Sequence, residues 1–403
     1  MLTTSNSYGH LQEQLMDRGI YLDHASTTPV RREVQDTLNE ALSTTFGNAS
    51  SIHTFGQEAK RVLEESRERV ANCIGAKSKE MIFTSGGTES DNLAIMGTAY
   101  ALKDKGNHII TTAIEHPAVL NCCGALEEEG FEVTYLPVDL ECRVHPEWVL
   151  EAIRPETILV TVMFANNETG SIQTIAEIGK IARQRGVVFH TDAVQAAGKV
   201  PVDVDELGVD LLSMSAHKIY GPKGIGGLYV RKGTKLHPLV YGGHHERNLR
   251  PGTENVPGIA AFAKAMELAT EELDTSRKHL EMLKERLVAE IQERIELVHR
   301  NGSPTECLPN ILNMSFSGVD GEALLLNLDL MGVAVSTGSA CSSGATEPSH
   351  VLLAMGVEPL LAQASLRFSF GRDNTETEID RVIEVLPDIV NRLRDLGDER
   401  ARR

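Results

Sequence analysis

The chain has 403 residues, 41% hydrophobic and 24% charged, an ordinary balance for a globular protein with room for more than one domain. Its 39 basic against 57 acidic residues leave a formal charge of −18, which argues against a general binder of nucleic acid or of a membrane surface. No run of about 18 apolar residues occurs, and the first twenty residues have neither a signal peptide's apolar core nor a transit peptide's arginines. Six cysteines without a tight framework fit a reducing compartment, so the chain is expected in the cytoplasm.

From about residue 80 to 230 one unit recurs. A short apolar run, read as a buried strand, ends in small, polar or ionisable residues: MIFTSGGTES (81–90), HIITTAIEHPAV (108–119), ILVTVMFANNETG (158–170), GVVFHTDAVQ (186–195) and DLLSMSAHK (210–218). Helical patterns such as 93–102 and 175–185 lie between several of them. The alternation predicts a parallel sheet covered on both faces. Ligands of such sheets sit beyond the carboxyl ends of the strands, and those ends carry Thr88, His116, Asn167, Asp192 and Lys218. After about residue 265 the texture changes. Leu280, Leu283, Leu287, Ile291 and Ile295 follow one helical face in a charged background. Two β-like stretches follow, ILNMSFSGV (311–319) and SLRFSFG (365–371), and a last helix is expected from near Asn374 with a kink at Pro387. This part reads as a smaller α+β domain.

Several stretches carry chemistry. SGGTES (85–90) puts two glycines and hydroxyls at a helix start, which makes either a phosphate cradle or an ordinary N-cap. GPKGIGG (221–227) lacks the Gly-Lys-Ser/Thr ending of a P-loop and opens no apolar helix, so it does not read as a nucleotide loop. Lys218 in SAHKIYGPKG is pinned between a strand and a Gly-Pro turn. With Ser215 three residues earlier it suits a Schiff base beside a phosphate, although a loop lysine is the commoner reading. Asp192 could pair with a protonated pyridine nitrogen or serve as a turn residue. His116 could stack, transfer protons, or be a structural histidine. Together the set describes a pyridoxal-phosphate site. Metal binding is not expected: no CxxC occurs, and Cys142-x-x-His145 has no second half. Cys73, Cys122, Cys123, Cys142 and Cys307 read as packing or indifferent surface. Cys341 differs, because STGSACSSG (336–344) surrounds it with nothing that packs.

With the motifs SGGTESDNLAI, EHPAVL, NNETG, HTDAVQ, SAHKIYGPKG, RPGTENV and TGSACSSG, the sequence resembles the cysteine desulfurases of the class V aminotransferase group, from YLDHASTTP (21–29) to SLRFSFGR (365–372). The loop around Cys341 is similar to that of the longer-loop class, which serves iron–sulfur cluster assembly and related sulfur delivery. The resemblance implies the fold-type-I architecture of pyridoxal-phosphate enzymes, a mixed, mostly parallel sheet covered by helices. It also implies a large cofactor domain (29–270), a small α+β domain (271–403) carrying a mobile cysteine loop (about 334–347), and an N-terminal segment (1–28) packed with the small domain.

The roles the resemblance implies are as follows. Lys218 binds the cofactor covalently and shuttles the substrate α-proton, while His116 stacks on the ring and assists proton transfer. Asp192 holds the ring nitrogen, Gln195 and Asn167 lie near the ring hydroxyl, and Gly87, Thr88, Ser215 and His217 hold the phosphate. Thr253 reaches the phosphate of a neighbouring subunit, so a homodimer is expected. Arg367 clamps the substrate carboxylate with its bidentate fork. L-cysteine loses its sulfur to the Cys341 thiolate, alanine leaves, and the persulfide passes to an acceptor protein such as a cluster scaffold. About ten flexible residues reach roughly 30 Å, which lets one sulfur visit both places. An ordinary thiol is only a few per cent ionised at neutral pH, so Cys341 needs a proton acceptor, with His116 the first candidate. Ala49 and Ser26 depart from the usual proline and alanine, and both are expected to bear on local rigidity. A selenocysteine lyase and a non-catalytic thiol carrier are the competing readings.

Overall fold

The apolar runs picked out between residues 81 and 230 become strands of one seven-stranded sheet in the computed structural model, which describes residues 19–337 and 347–401. The expected loop cysteine, Cys341, lies outside the described residues. Strand β1 (Ile20–Tyr21) belongs elsewhere; the sheet is built from β2 (Met81–Thr84), β3 (His108–Thr112), β4 (Glu132–Leu136), β5 (Thr157–Thr161), β6 (Val188–Asp192), β7 (Leu211–Ser215) and β8 (Gly226–Val230), in the order β2-β8-β7-β6-β5-β3-β4. Only β8 runs against the rest. The carboxyl ends of β2, β3, β5, β6 and β7 therefore share one edge, which is where a mostly parallel sheet presents its ligand site.

β2, β3, β5, β7 and β8 are buried at every position and β6 at all but one, as expected of strands covered on both faces. The helix Gly87–Leu102 is apolar on most sides and lies on the sheet, with Leu93, Ala94, Ile95 and Ala99 buried. GPKGIGG proves to be a packing device. A Cβ at Gly226 would come within 2.7 Å of the Gly86 Cα and 2.6 Å of the Met214 carbonyl oxygen, so only glycine lets β8 approach the turn after β2.

A second sheet joins β9 (Val298–Asn301), β10 (Ile311–Phe316) and β12 (Ser365–Ser369), all antiparallel, while β1 pairs with β11 (Val333–Ala334). The expected amphipathic helix runs Leu273–Arg294 and buries Leu280, Leu283, Leu287 and Ile291 against Phe316 and Phe368 in a core separate from that of the large sheet. Truncating one such phenylalanine to alanine costs about 3–5 kcal/mol. The last helix starts at Glu376 rather than near Asn374, because Thr375 caps it: Thr375 Oγ1 accepts from Glu378 N, and the Glu378 carboxylate accepts from Thr375 N. It continues through Pro387 to Ala401. Among the described residues no helix is long and apolar enough to cross a membrane.

Candidate active site

The turn after β2 resolves the first ambiguity. Gly86 sits at the N-cap of Gly87–Leu102 and supplies no side-chain cap, so the helix's first N–H groups keep their capacity to bind an anion. Beside it the Ser215 hydroxyl is buried without a hydrogen-bond partner among the described residues, and a Cβ on Gly86 would stand 3.8 Å from that oxygen. Gly87 has no room for a side chain, since its Cβ would meet Val194 at 2.7 Å. These features suit an anion cradle, and no side chain serves as an ordinary cap. Thr88 is exposed in the first helical turn. His217 Nδ1 lies 3.1 Å from Thr27 Oγ1, and burial, then the Lys218 and Lys223 charges, brings its pKa down to about 4.

Lys218 closes the short turn Ala216–Lys218 after β7, and its Nζ donates to the carbonyls of Ala25 and Ser26, each at 2.6 Å. Asp192, buried at the end of β6, accepts from Val194 N at 2.8 Å. Burial pushes its pKa up, and the charges of His116 and Lys218 pull it back. Gln195 is engaged at both ends: its Nε2 donates to the Ala25 carbonyl, and its Oε1 accepts from Lys199 Nζ.

His116 caps the helix Pro117–Glu128, with its Nδ1 accepting from Ala118 N at 3.1 Å. Burial lowers its pKa, Lys218 and His350 add to that, and Asp192 opposes it, so the ring is neutral at neutral pH. With Nδ1 occupied as an acceptor, the proton sits on Nε2. In this tautomer the ring can give a proton from Nε2; the expected exchange with Cys341 involves a residue outside the described ones. Under the same strand ends Glu115 is fully buried and pushed up to about 8, although Thr112 Oγ1 and Met163 N donate to it.

Arg367, on β12, reaches the same edge from the second sheet. Its Nη1 donates to the Asn167 carbonyl at 2.8 Å, and its Nη2 to Asp23 Oδ1 at 2.8 Å and Ser26 Oγ at 2.7 Å. Its Nε is buried without a partner among the described residues, a donor left for an incoming carboxylate. Ser26, expected to matter only to rigidity, instead bonds Arg367 and donates to Asp23 Oδ1 at 2.9 Å. Asp23 and Ser26 were missed as site residues. Only an alternation of small polar residues after an apolar pair marked them. Thr253 is exposed, and its side chain has no hydrogen-bond partner among the described residues.

The aminotransferase class-V family model matches residues 20–382. The chain belongs to that family. A relative from Dictyoglomus turgidum, "Cysteine desulfurase IscS", is 54% identical over 95% of this chain and 97% of its own length. A solved structure described as a "NifS-like protein" superposes with a TM-score of 0.88 at 38% identity, over 93% of this chain and 100% of its own. Another, "SspA in complex with cysteine", gives 0.78 at 37% identity, over 88% of this chain and 100% of its own. The family's architecture, the fold-type-I arrangement, is the one described above. Its cofactor fits the residues present. The uncapped helix end and orphaned Ser215 suit a phosphate, and buried Asp192, in no salt bridge among the described residues, suits a protonated ring nitrogen.

Proposed function

We propose that the protein is a pyridoxal-phosphate-dependent cysteine desulfurase of the cytoplasm. It releases L-alanine from L-cysteine and leaves a persulfide on Cys341, for transfer to an acceptor protein in iron–sulfur cluster assembly or another sulfur-delivery route. One observation carries the reading. Ser26 is touched by both key cations, its carbonyl by Lys218 Nζ at 2.6 Å and its hydroxyl by Arg367 Nη2 at 2.7 Å. A cofactor-binding lysine and a carboxylate-binding arginine that touch the same residue set the reacting centre beside the carboxylate of an α-amino acid.

Pyridoxal phosphate, bound at Lys218, supplies an electron sink for the charge left when the substrate's α-proton departs. Gly87, Thr88, Ser215 and His217 would hold its phosphate, Asp192 its ring nitrogen, Asn167 and Gln195 the side of its hydroxyl, and His116 its face. Arg367 orients the cysteine carboxylate and places the α-carbon toward Lys218, whose amine takes the proton. Asp23 keeps Arg367 in place and partly neutral as a pair. Cys341 attacks the substrate sulfur. The S–S bond forms as the C–S bond breaks, the carbon keeps the bonding pair, and protonation, with His116 Nε2 as the nearby donor, gives alanine.

The anchors of the cysteine stretch support this. Ser336 exchanges backbone hydrogen bonds with Arg367, and Ser349 donates to the Glu168 carboxylate, next in the chain to Asn167, so one flank of Cys341 is tied to the clamp and the other beside it. Exposed Phe46, Ile52 and Phe55 in one segment, and Val240 and Tyr241 in another, are apolar surface that a second copy would cover in a homodimer, with Thr253 facing the partner's phosphate.

Adding cysteine to the purified protein with a reductant should yield alanine and sulfide in equal amounts, and Cys341→Ser should cut both at least about a hundredfold. Normal turnover by Cys341→Ser would remove Cys341 from the mechanism. Turnover of selenocysteine alone would make the protein a selenocysteine lyase, and turnover of neither would leave a thiol carrier.

A further inference from the structure

Behind Lys218, on the side facing the second core, lies a cavity of about 50 Å³ whose lining includes His24, Lys199, Lys218, Tyr220 and Asn310. That is room for about three waters. Much of the wall is apolar, but two polar atoms in it lack a partner: His24 Nδ1 and Asn310 Oδ1 are buried without a hydrogen bond among the described residues. Two lysines therefore open onto one small, wettable space. They are also linked through the protein. Lys199 Nζ donates to Gln195 Oε1 at 2.9 Å, Gln195 Nε2 donates to the Ala25 carbonyl at 2.8 Å, and the same carbonyl accepts from Lys218 Nζ at 2.6 Å.

The surroundings leave Lys199 with one task. It has no ion pair among the described residues, and Arg31, which also lines the cavity, is already paired with Glu33 and Glu272. Burial, then the charges of Lys218 and Arg367, brings its amine down to about 7. His24 and His217, both under the Lys199 charge, are each held near 4; of the cavity's other ionisable groups, Tyr220 is raised to about 12, Glu272 is paired with Arg31 and Arg372, and Arg277 is paired with Glu281. At neutral pH neither histidine accepts a proton, and Arg367 does not release one. On its far side Lys218 faces His116, a neutral ring, and Asp192. Lys218 itself donates to two carbonyl oxygens, and a lysine must shed a proton before its amine can act as a nucleophile.

We propose that Lys199 is the proton partner of Lys218, receiving across the shared cavity the proton that Lys218 sheds when its amine attacks the cofactor aldehyde. This rests on the reading of Lys218 as the cofactor lysine. One Lys218 N–H bond breaks and leaves its electron pair on that nitrogen, the proton passes through cavity water to the Lys199 lone pair, and the charge of the pair is unchanged. Lys199 acts only through Lys218 and is a positioning residue, not a catalytic one. Above about pH 7 the Lys199 amine is available as the base, so the rate through it no longer grows with pH. Without Lys199 the attack waits on free lysine amine, whose fraction rises about tenfold per pH unit up to the ordinary lysine range.

The test strips the full chain of cofactor, mixes it with pyridoxal phosphate, and follows the rate at which the visible band forms between pH 6 and 10. The wild-type rate should level off above about pH 7. Lys199→Met and Lys199→Gln should keep rising through about pH 9, with a deficit of about tenfold or more at pH 7.5 that closes toward pH 10. Lys199→Gln retains a donor for Gln195. If Lys199 merely braces that side chain, Lys199→Gln will trace the wild-type profile and the proposal fails. Should Lys199→Met not fold, Lys199→Gln alone decides. If the wild-type chain forms no band at any pH, it is the assignment of Lys218 that falls.

Discussion

Two regions meet at the active site and are built in opposite ways. The shelf of strand ends that carries the anion cradle, His116, Asp192 and Lys218 is made of neighbours in one sheet, each side chain leaving the edge within a few residues of its strand. The clamp around Arg367 joins pieces from the two ends of the chain: Asp23 and Ser26 are 344 and 341 residues away from the arginine they hold. The shelf is rigid because the sheet is buried. The clamp is rigid only because charged hydrogen bonds at 2.7–2.8 Å close on one guanidinium. Cofactor chemistry thus sits on the part that folds as a unit, and substrate selection on the part that has to be assembled.

That contrast can be broken experimentally. Arg367→Lys loses the fork but keeps a charge, and it should lower kcat/KM by about a hundredfold, mostly through KM, while the cofactor's visible spectrum is unchanged. A disturbed spectrum would show that clamp and shelf are not separate. Ser26→Ala removes one charge-assisted bond worth about 1.5–3 kcal/mol at most. KM for cysteine should rise about three- to tenfold, and an unchanged KM would reduce Ser26 to the rigidity role first expected of it. The smallest effect concerns the shelf alone. Glu115 has its folded pKa raised from 4.5 to about 8, so the native chain keeps a proton that the unfolded chain loses. Stability should fall as pH rises between those values and stay lowered above them. Glu115→Gln should therefore melt a few degrees above wild type at pH 8 and match it near pH 4.5. Parallel melting curves across that range would place the ionised carboxylate in a better-solvated setting than its burial implies.

The same contrast decides what could be read from the chain. Strand-ending residues were legible because period and composition mark where a buried strand stops, and one topology rule sends all such ends to one edge. Lys218, Asp192, His116 and Asn167 fall out of that rule. The reversed direction of β8 did not, since nothing local distinguishes GGLYV from a parallel strand. Arg367 was placed by resemblance, and its partners Asp23 and Ser26 were invisible because no local pattern encodes a contact more than 340 residues long. Lys199 carries no mark in the sequence, because its surroundings depend on a cavity that only tertiary packing creates. The tautomer of His116 follows from a capping bond, so sequence could name the residue but not which nitrogen holds its proton.

The bridge between Asp23 and Ser369, with the Arg367 contacts beside it, also sets a time at which the enzyme can exist. The two residues are separated by about 346 positions, so the second leaves the ribosome about 20–70 s after the first at ordinary elongation rates. A nascent chain can complete its large sheet in that interval, yet it has nothing with which to grip an amino acid. On the proposed reading of Arg367, a chain still being made can shape its sheet before it can hold a substrate.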